Sequence, residues 1–460
     1  MFFSHPLSPT GRYFLAREEK AFAGARLVRP ILAELFERFS YQAATVSFTP
    51  TDAPVFYLGN AAPLPAPAVG YAIRVEETGA AVSAADEENL VKGYLTLLDM
   101  IAMDEEGRVF LPFCRLQESA IVPVRMVHFC VFPETELWEI RKFLRLAGVL
   151  KYTHVILEFW GMLRYDCLAE LALPNAYRKE EIRPLIAEAQ DLGVEVVPMF
   201  NHWGHAAGAR MMHGKHAVLD QNPRLQYLFD DSGWCWNFRS ERVVRLLREV
   251  RRELCELCGA GTCFHIGGDE AYTFRPEECD ALCAYLNGIA GALRREGRRA
   301  ILWGDMLLSP TEADRREGYS MSAPTPACAA QMRAALSHDI LVADWQYEVK
   351  RAPLRSSLLL RDAGFSTLLC PWDRSADNVD ACLQTVREAG LFGVLHTTWH
   401  TLSAGMPYVG RVAARCWETP VDGGTAGDAL RTAAILRRVF DAGGHYARTG
   451  FAKQEIGVIF

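Results

Sequence analysis

No stretch of the 460-residue chain is apolar for long enough to cross a bilayer, and no basic cluster interrupts it. Lysine and arginine together number 49 against 56 aspartates and glutamates, a formal net charge of -7. That balance argues against nucleic acid or an anionic membrane as partner, and it suits a neutral substrate such as carbohydrate. The start, Met1-Phe2-Phe3-Ser4-His5-Pro6, lacks the basic leader and apolar core of a secretion signal, so a cytoplasmic protein is expected. The sequence carries no HExxH zinc signature and no glycine-rich phosphate loop after its first strong strand. Its 13 cysteines, an odd number scattered through predicted strands and helices, form no disulfide framework and read as reduced, buried thiols. Cys255 with Cys258 and Cys279 with Cys283 have zinc-like spacing, but both pairs fall on predicted helices, where packing is the expected role. His202, His205, His213 and His216 resemble a ligand cluster without a matching acidic pattern. No metal and no cofactor is expected.

What is present falls into two patterns. Residues 1–122 read as a small α+β domain. Val55 to Leu58 is strand-like, Tyr71 to Val75 alternates, Glu77-Thr78-Gly79 turns, and Ala81 to Ala84 returns. A helix capped by Asp86 follows, with a stripe of Leu90, Tyr94, Leu97 and Ile101, and the stretch from Glu105 to Pro123 reads as a connector. From Val124 onward, in a domain spanning 123–460, apolar strands alternate with amphipathic helices such as Lys179 to Leu192 and Arg242 to Leu257. The strands are Val124 to Val131, Tyr152 to Phe159, Val194 to Asn201, Thr262 to Asp269, Ala300 to Trp303, Ile340 to Trp345, Ser366 to Pro371 and Gly393 to Trp399. Eight near-continuous apolar strands separated by helices predict an α/β fold with a closed (β/α)8 TIM barrel, the competing arrangement being an open doubly wound sheet.

A barrel places its chemistry at the carboxyl ends of the strands. Six of the seven ends that stand out carry a tryptophan: Trp160, Trp203, Trp303, Trp345, Trp372 and Trp399. So many at one rim predict an aromatic-walled pocket of the kind on which sugar rings stack, although any single one could serve the core. The seventh end is His265-Ile266-Gly267-Gly268-Asp269-Glu270. Its glycines let the chain bend, and its two acids can border one cleft. Their mutual repulsion favours a proton on one of them, as glycoside cleavage requires. The bland alternative is an exposed Asp-Glu pair that caps the next helix.

These residues resemble glycoside hydrolase family 20, the β-N-acetylhexosaminidases. His265 to Glu270 matches the family's His-x-Gly-Gly-Asp-Glu motif. Tyr177 to Ile182, Gly193 to Pro198 and Gly204-His205 are similar to its helix, strand and Gly-His loop, and Gly70 to Ile101 is similar to its preceding α+β domain. The resemblance implies a retaining enzyme that removes terminal GlcNAc or GalNAc from glycans, with the substrate's 2-acetamido group as nucleophile. It makes Glu270 the acid and base, and Asp269 the group that holds the acetamide N–H and stabilises the oxazolinium. It places Arg125 on the sugar hydroxyls, with a barrel-floor salt bridge as its bland alternative. Trp303, Trp345 and Trp399 would clasp the ring and acetyl group, and His205 would also bind substrate. Tyr347 would hydrogen-bond the acetamide oxygen unless it is an ordinary surface tyrosine, and Asp305 would bind that oxygen or a hydroxyl.

The chain also departs from the family. Pro198-Met199-Phe200-Asn201 ends in an amide where relatives have an aspartate, Leu157-Glu158-Phe159-Trp160 replaces an acidic pair, and Trp399 is followed by His400 and Thr401 without a nearby acid. The competing function classes are a sugar-binding barrel that has lost turnover and a metal-dependent barrel hydrolase.

Overall fold

The computed structural model describes residues 11–23, 29–48, 51–59, 62–206, 218–312, 317–373, 375–399, 402–417 and 424–440. Eight parallel strands, β1 (Val124–Val131), β2 (His154–Phe159), β3 (Glu195–Met199), β4 (Cys263–His265), β5 (Arg299–Trp303), β6 (Leu341–Trp345), β7 (Ser366–Cys370) and β8 (Gly393–Thr397), close into a barrel in chain order. Helices lie between them, including Lys179–Asp191 and Glu241–Cys258. Alternate strand residues turn inward, and Met126, Ile156, Val197, Met199, Ile301, Leu341, Leu368 and Leu395 fill the interior as a packed core. The residues between them, such as Val127, Phe129, Val155 and Val196, pack outward on the helices. Burial on both faces explains why the strands read as continuous apolar runs.

Before the barrel, a six-stranded mixed sheet runs in the order Thr45–Ser47, Glu18–Ala23, Phe56–Leu58, Gly79–Ala84, Tyr71–Glu76, Cys114–Glu118. Its helix Glu87–Asp99 starts where expected, with the Asp86 side chain accepting the Asn89 N–H at 2.8 Å. The expected connector, by contrast, is structured. Val109–Pro112 pairs with Arg12–Phe14 and Ala102–Met103, and Cys114–Glu118 forms a sheet edge against Tyr71–Glu76. Both segments are short, and each pairs with a strand distant in sequence, Arg12–Phe14 or Tyr71–Glu76, which local pattern does not reveal. The last helix among the described residues, Gly424–Val439, packs against Leu137–Val149 of the barrel and Pro30–Phe39 of the sheet domain.

Candidate active site

Strand β4 ends at His265, but its pairing with β5 persists through Ile266 N–H to Ile301 O (2.8 Å) and Trp303 N–H to Gly267 O (3.0 Å). Gly267 (φ 68°) and Gly268 (φ 96°) then turn the chain across the barrel mouth. A methyl group at Gly267 would strike the Asn201 side chain, and one at Gly204 would strike the carbonyl of Asp269. The glycines thus let the loop after β3 lie directly on the acidic motif. Six non-glycine residues among those described have positive φ, and three of them border this mouth: His205 (56°), Glu270 (48°) and Trp399 (43°). Strained backbone concentrated at one cleft marks a functional site.

Three carboxyl groups meet there. His205 Nε2 lies 2.9 Å from Glu270 Oε2 and 3.5 Å from Asp269 Oδ2. The Glu270 side chain is 30% exposed and that of Asp269 7%, so Glu270 is the one a leaving group and water can reach. Asp305 lies beneath them, fully buried. Its Oδ2 accepts the Glu270 N–H at 3.0 Å, and its Oδ1 accepts Trp345 Nε1–H at 3.3 Å. Burial first, and then the charge of Asp269, push the Asp305 carboxyl up to about 7. The expected like-charge repulsion therefore acts on a third acid 35 residues beyond the motif. Asn201, the amide in place of an aspartate, has its Nδ2 3.5 Å from Asp269 Oδ1 and donates to Gly204 O at 3.0 Å.

The aromatic wall is smaller than the sequence suggests. Tyr347 accepts from Trp399 Nε1–H at 2.9 Å, and its ring centre lies 5.3 Å from that of Trp345 and 5.1 Å from that of Trp372. Thr397 Oγ1 sits 3.1 Å from both the Tyr347 hydroxyl and the Pro371 carbonyl. The carbonyl can only accept, so it takes the Thr397 proton and leaves the Tyr347 proton for Thr397 or a ligand. Trp303 is fully buried between His265 and Trp399, with ring centres at 4.3 and 5.7 Å, and it backs the wall rather than facing the cleft. Trp203 is also buried, edge-on to Phe274, and belongs to the core.

Arg125 is elsewhere. It sits at the amino end of β1, one residue out of phase with inward-facing Met126. Its guanidinium donates to the carbonyls of Val122, Pro123 and Lys151 and lies 4.9 Å over the Trp417 ring. It is at the wrong end of the barrel to touch a ligand in the mouth. His202 is also structural: it bonds Phe200 O at 2.7 Å and Arg251 Nη1 at 3.1 Å, and burial with Arg251 lowers its pKa to about 3. His213, His216, His400 and Thr401 lie outside the described residues.

Sequence reading missed Trp234, whose Nε1–H donates to Glu270 O at 2.7 Å and whose ring lies 4.2 Å from that of His205. It arrives from the long excursion between β3 and β4, where no periodicity marks it. It also missed Tyr272, which is 60% exposed and hydrogen-bonds the Glu270 side chain. His128 was overlooked as well. It pairs with Glu158 at 3.0 Å, and its inward position three residues before the end of β1 was the available signal.

Residues 153–347 match the family model for the glycosyl hydrolase family 20 catalytic domain. A beta-hexosaminidase of Porphyromonas gingivalis is 22% identical over 304 residues, covering 55% of this chain and 37% of that protein. The chain thus spans little more than a third of that curated relative. Among solved structures, the family 20 β-N-acetylhexosaminidase of Streptomyces coelicolor A3(2) superposes with a TM-score of 0.69 at 15% identity, covering 95% of each chain. A family 20 exo-β-N-acetylglucosaminidase of Vibrio harveyi, solved with N-acetylglucosamine, gives 0.68 at 15% identity over 95% of this chain and 77% of that one.

Proposed function

We propose that the chain, whose residues 153–347 match the catalytic-domain model of glycosyl hydrolase family 20, is an exo-acting, retaining β-N-acetylhexosaminidase of that family that releases terminal β-linked GlcNAc or GalNAc. The observation that carries this reading is one histidine nitrogen held between Asp269 and Glu270 at the mouth of the barrel. Glu270, the more exposed acid, protonates the glycosidic oxygen and then takes a proton from the attacking water. Asp269 orients the acetamide N–H and stabilises the positive oxazolinium as the carbonyl oxygen attacks the anomeric carbon. Tyr347 donates to that oxygen with the proton that its Trp399 and Thr397 neighbours leave available. His205, packed at a tilt against Trp234, fixes the rotamer of Glu270, and Trp399 and Trp345 supply the flat faces on which the sugar packs. No carboxylate nucleophile is required, because the substrate brings its own.

The thirteen cysteines, all free thiols and most of them buried, support a reducing cytoplasmic setting, where the substrate would be a short glycan. The decisive assay compares an aryl N-acetyl-β-glucosaminide with the plain aryl β-glucoside. Only the first carries an internal nucleophile, so turnover confined to it is the expected result. Comparable turnover of both would refute substrate-assisted catalysis.

A further inference from the structure

We propose that the barrel interior holds a second site, for a divalent cation of the zinc class, formed by His128 Nε2, Cys130 Sγ and a carboxylate oxygen of Glu158. His128 and Cys130 are alternate residues of β1 and so share its inward face, and Cys130 is directly paired with Glu158 on β2. All three are buried. The imidazole nitrogen lies 3.0 Å from the carboxylate oxygen, and the sulfur lies 3.7 Å from each. A triangle with those sides has a point about 2.0 Å from every corner, the length of a Zn–N or Zn–O bond and only slightly short of Zn–S. The donor set selects the metal: thiolate and imidazole favour zinc, cobalt or copper over the hard ions magnesium and calcium. Three protein ligands leave the ion room for a further ligand above their plane. The site adjoins the sugar pocket without including its acids, since the His128 ring lies 4.7 Å from that of Trp399.

Binding replaces the His128–Glu158 hydrogen bond with two bonds to the ion. The Cys130 thiol proton goes to solvent, and the imidazole proton that made that hydrogen bond leaves Nε2, so that the neutral ring carries its one proton on Nδ1 and Nε2 is free to ligate. Affinity therefore weakens as pH falls. The test uses the full chain stripped with a chelator and titrated with Co²⁺, with absorbance as the readout. One equivalent should bind with a sulfur-to-cobalt charge-transfer band that Zn²⁺ displaces. Cys130→Ser should abolish the band, and Glu158→Gln or His128→Gln should weaken binding at least tenfold. Absence of the band at saturating Co²⁺ in the unsubstituted protein would overturn the proposal. So would a band that survives Cys130→Ser, because the thiolate would then be another cysteine.

Discussion

Asp269, Glu270 and Asp305 share one small space, and their surroundings give them different work. Glu270 alone is substantially open to solvent, so it is the acid whose loss depends on the leaving group. Glu270→Gln should abolish cleavage of a natural disaccharide while sparing aryl glycosides that leave without protonation, and kcat measured against leaving-group pKa reads this directly. Unchanged turnover of the disaccharide would move the acid elsewhere. Asp305 makes a prediction of the opposite kind, on stability. Its carboxyl has an ordinary value of 3.8 and stands at about 7 when folded, so the native state binds the proton more tightly than the unfolded chain. The stabilisation is complete below about pH 4 and is lost as pH rises through 7. Asp305→Asn removes that titration. The unfolding free energy of the native protein in urea titrations should fall relative to the variant between pH 4.5 and 7.5, with a slope approaching about 1.4 kcal/mol per pH unit. Parallel curves would contradict the proton uptake.

At the scale of elements, the end of β6 and the loop leaving it carry Trp345 and Tyr347, and a buried network pins them. Asp344 accepts from Ser356 Oγ and Ser357 Oγ at 2.6 and 2.5 Å and from Gln346 Nε2 at 2.7 Å, and Asn378 Nδ2 donates to the carbonyls of Gln346 and Val349 at 2.8 Å each. Asn378→Ala strands the Val349 carbonyl in a dry interior, at a cost of roughly 1–3 kcal/mol, and leaves the Gln346 carbonyl only the Val349 N–H at 3.3 Å. It should lower Tm and raise KM for an N-acetylated substrate more than it lowers kcat, because the chemistry of Glu270 is untouched. The same scale explains what could be read in advance. The barrel strands were legible because burial on both faces writes a continuous apolar run, and the Gly-Gly-Asp-Glu turn was legible because its residue types serve nothing else so well. Asn378 and Trp234 were not legible. Each acts on a residue distant in sequence, and neither sits in a pattern of its own. Arg125 misled because a match of residue type carries no information on which end of a strand, or which face, a side chain occupies.

Across the whole molecule, a buried arginine, a partly buried one and a lysine lock the small sheet domain to the barrel. Arg145, on the helix after β1, donates to both oxygens of Glu34 at 2.9 and 3.0 Å and to Val439 O at 2.7 Å, and Arg438 donates to the carbonyls of Phe39, Leu98 and Ile101 at 3.1 Å each. The deepest lock is Lys151, at the start of the link into β2. Its Nζ lies 3.0 Å from Glu118 Oε2, 2.8 Å from the Tyr71 hydroxyl and 4.1 Å over the Trp417 ring, and Tyr71 also hydrogen-bonds Glu118. Burial lowers the pKa of Lys151, and the charge of Glu118 opposes that shift. Removing one partner of such a pair exposes the other's desolvation cost, whereas removing both can be nearly neutral. Lys151→Met should therefore destabilise the protein by about 3 kcal/mol in urea unfolding, and Lys151→Met with Glu118→Gln should recover more than half of the loss. The cluster lies at the amino end of the barrel strands, away from Asp269 and Glu270, so turnover per folded molecule should stay at the native level in both variants. If the double variant is no more stable than the single one, the lysine stabilises the interface through its packing on Trp417 rather than through its charge.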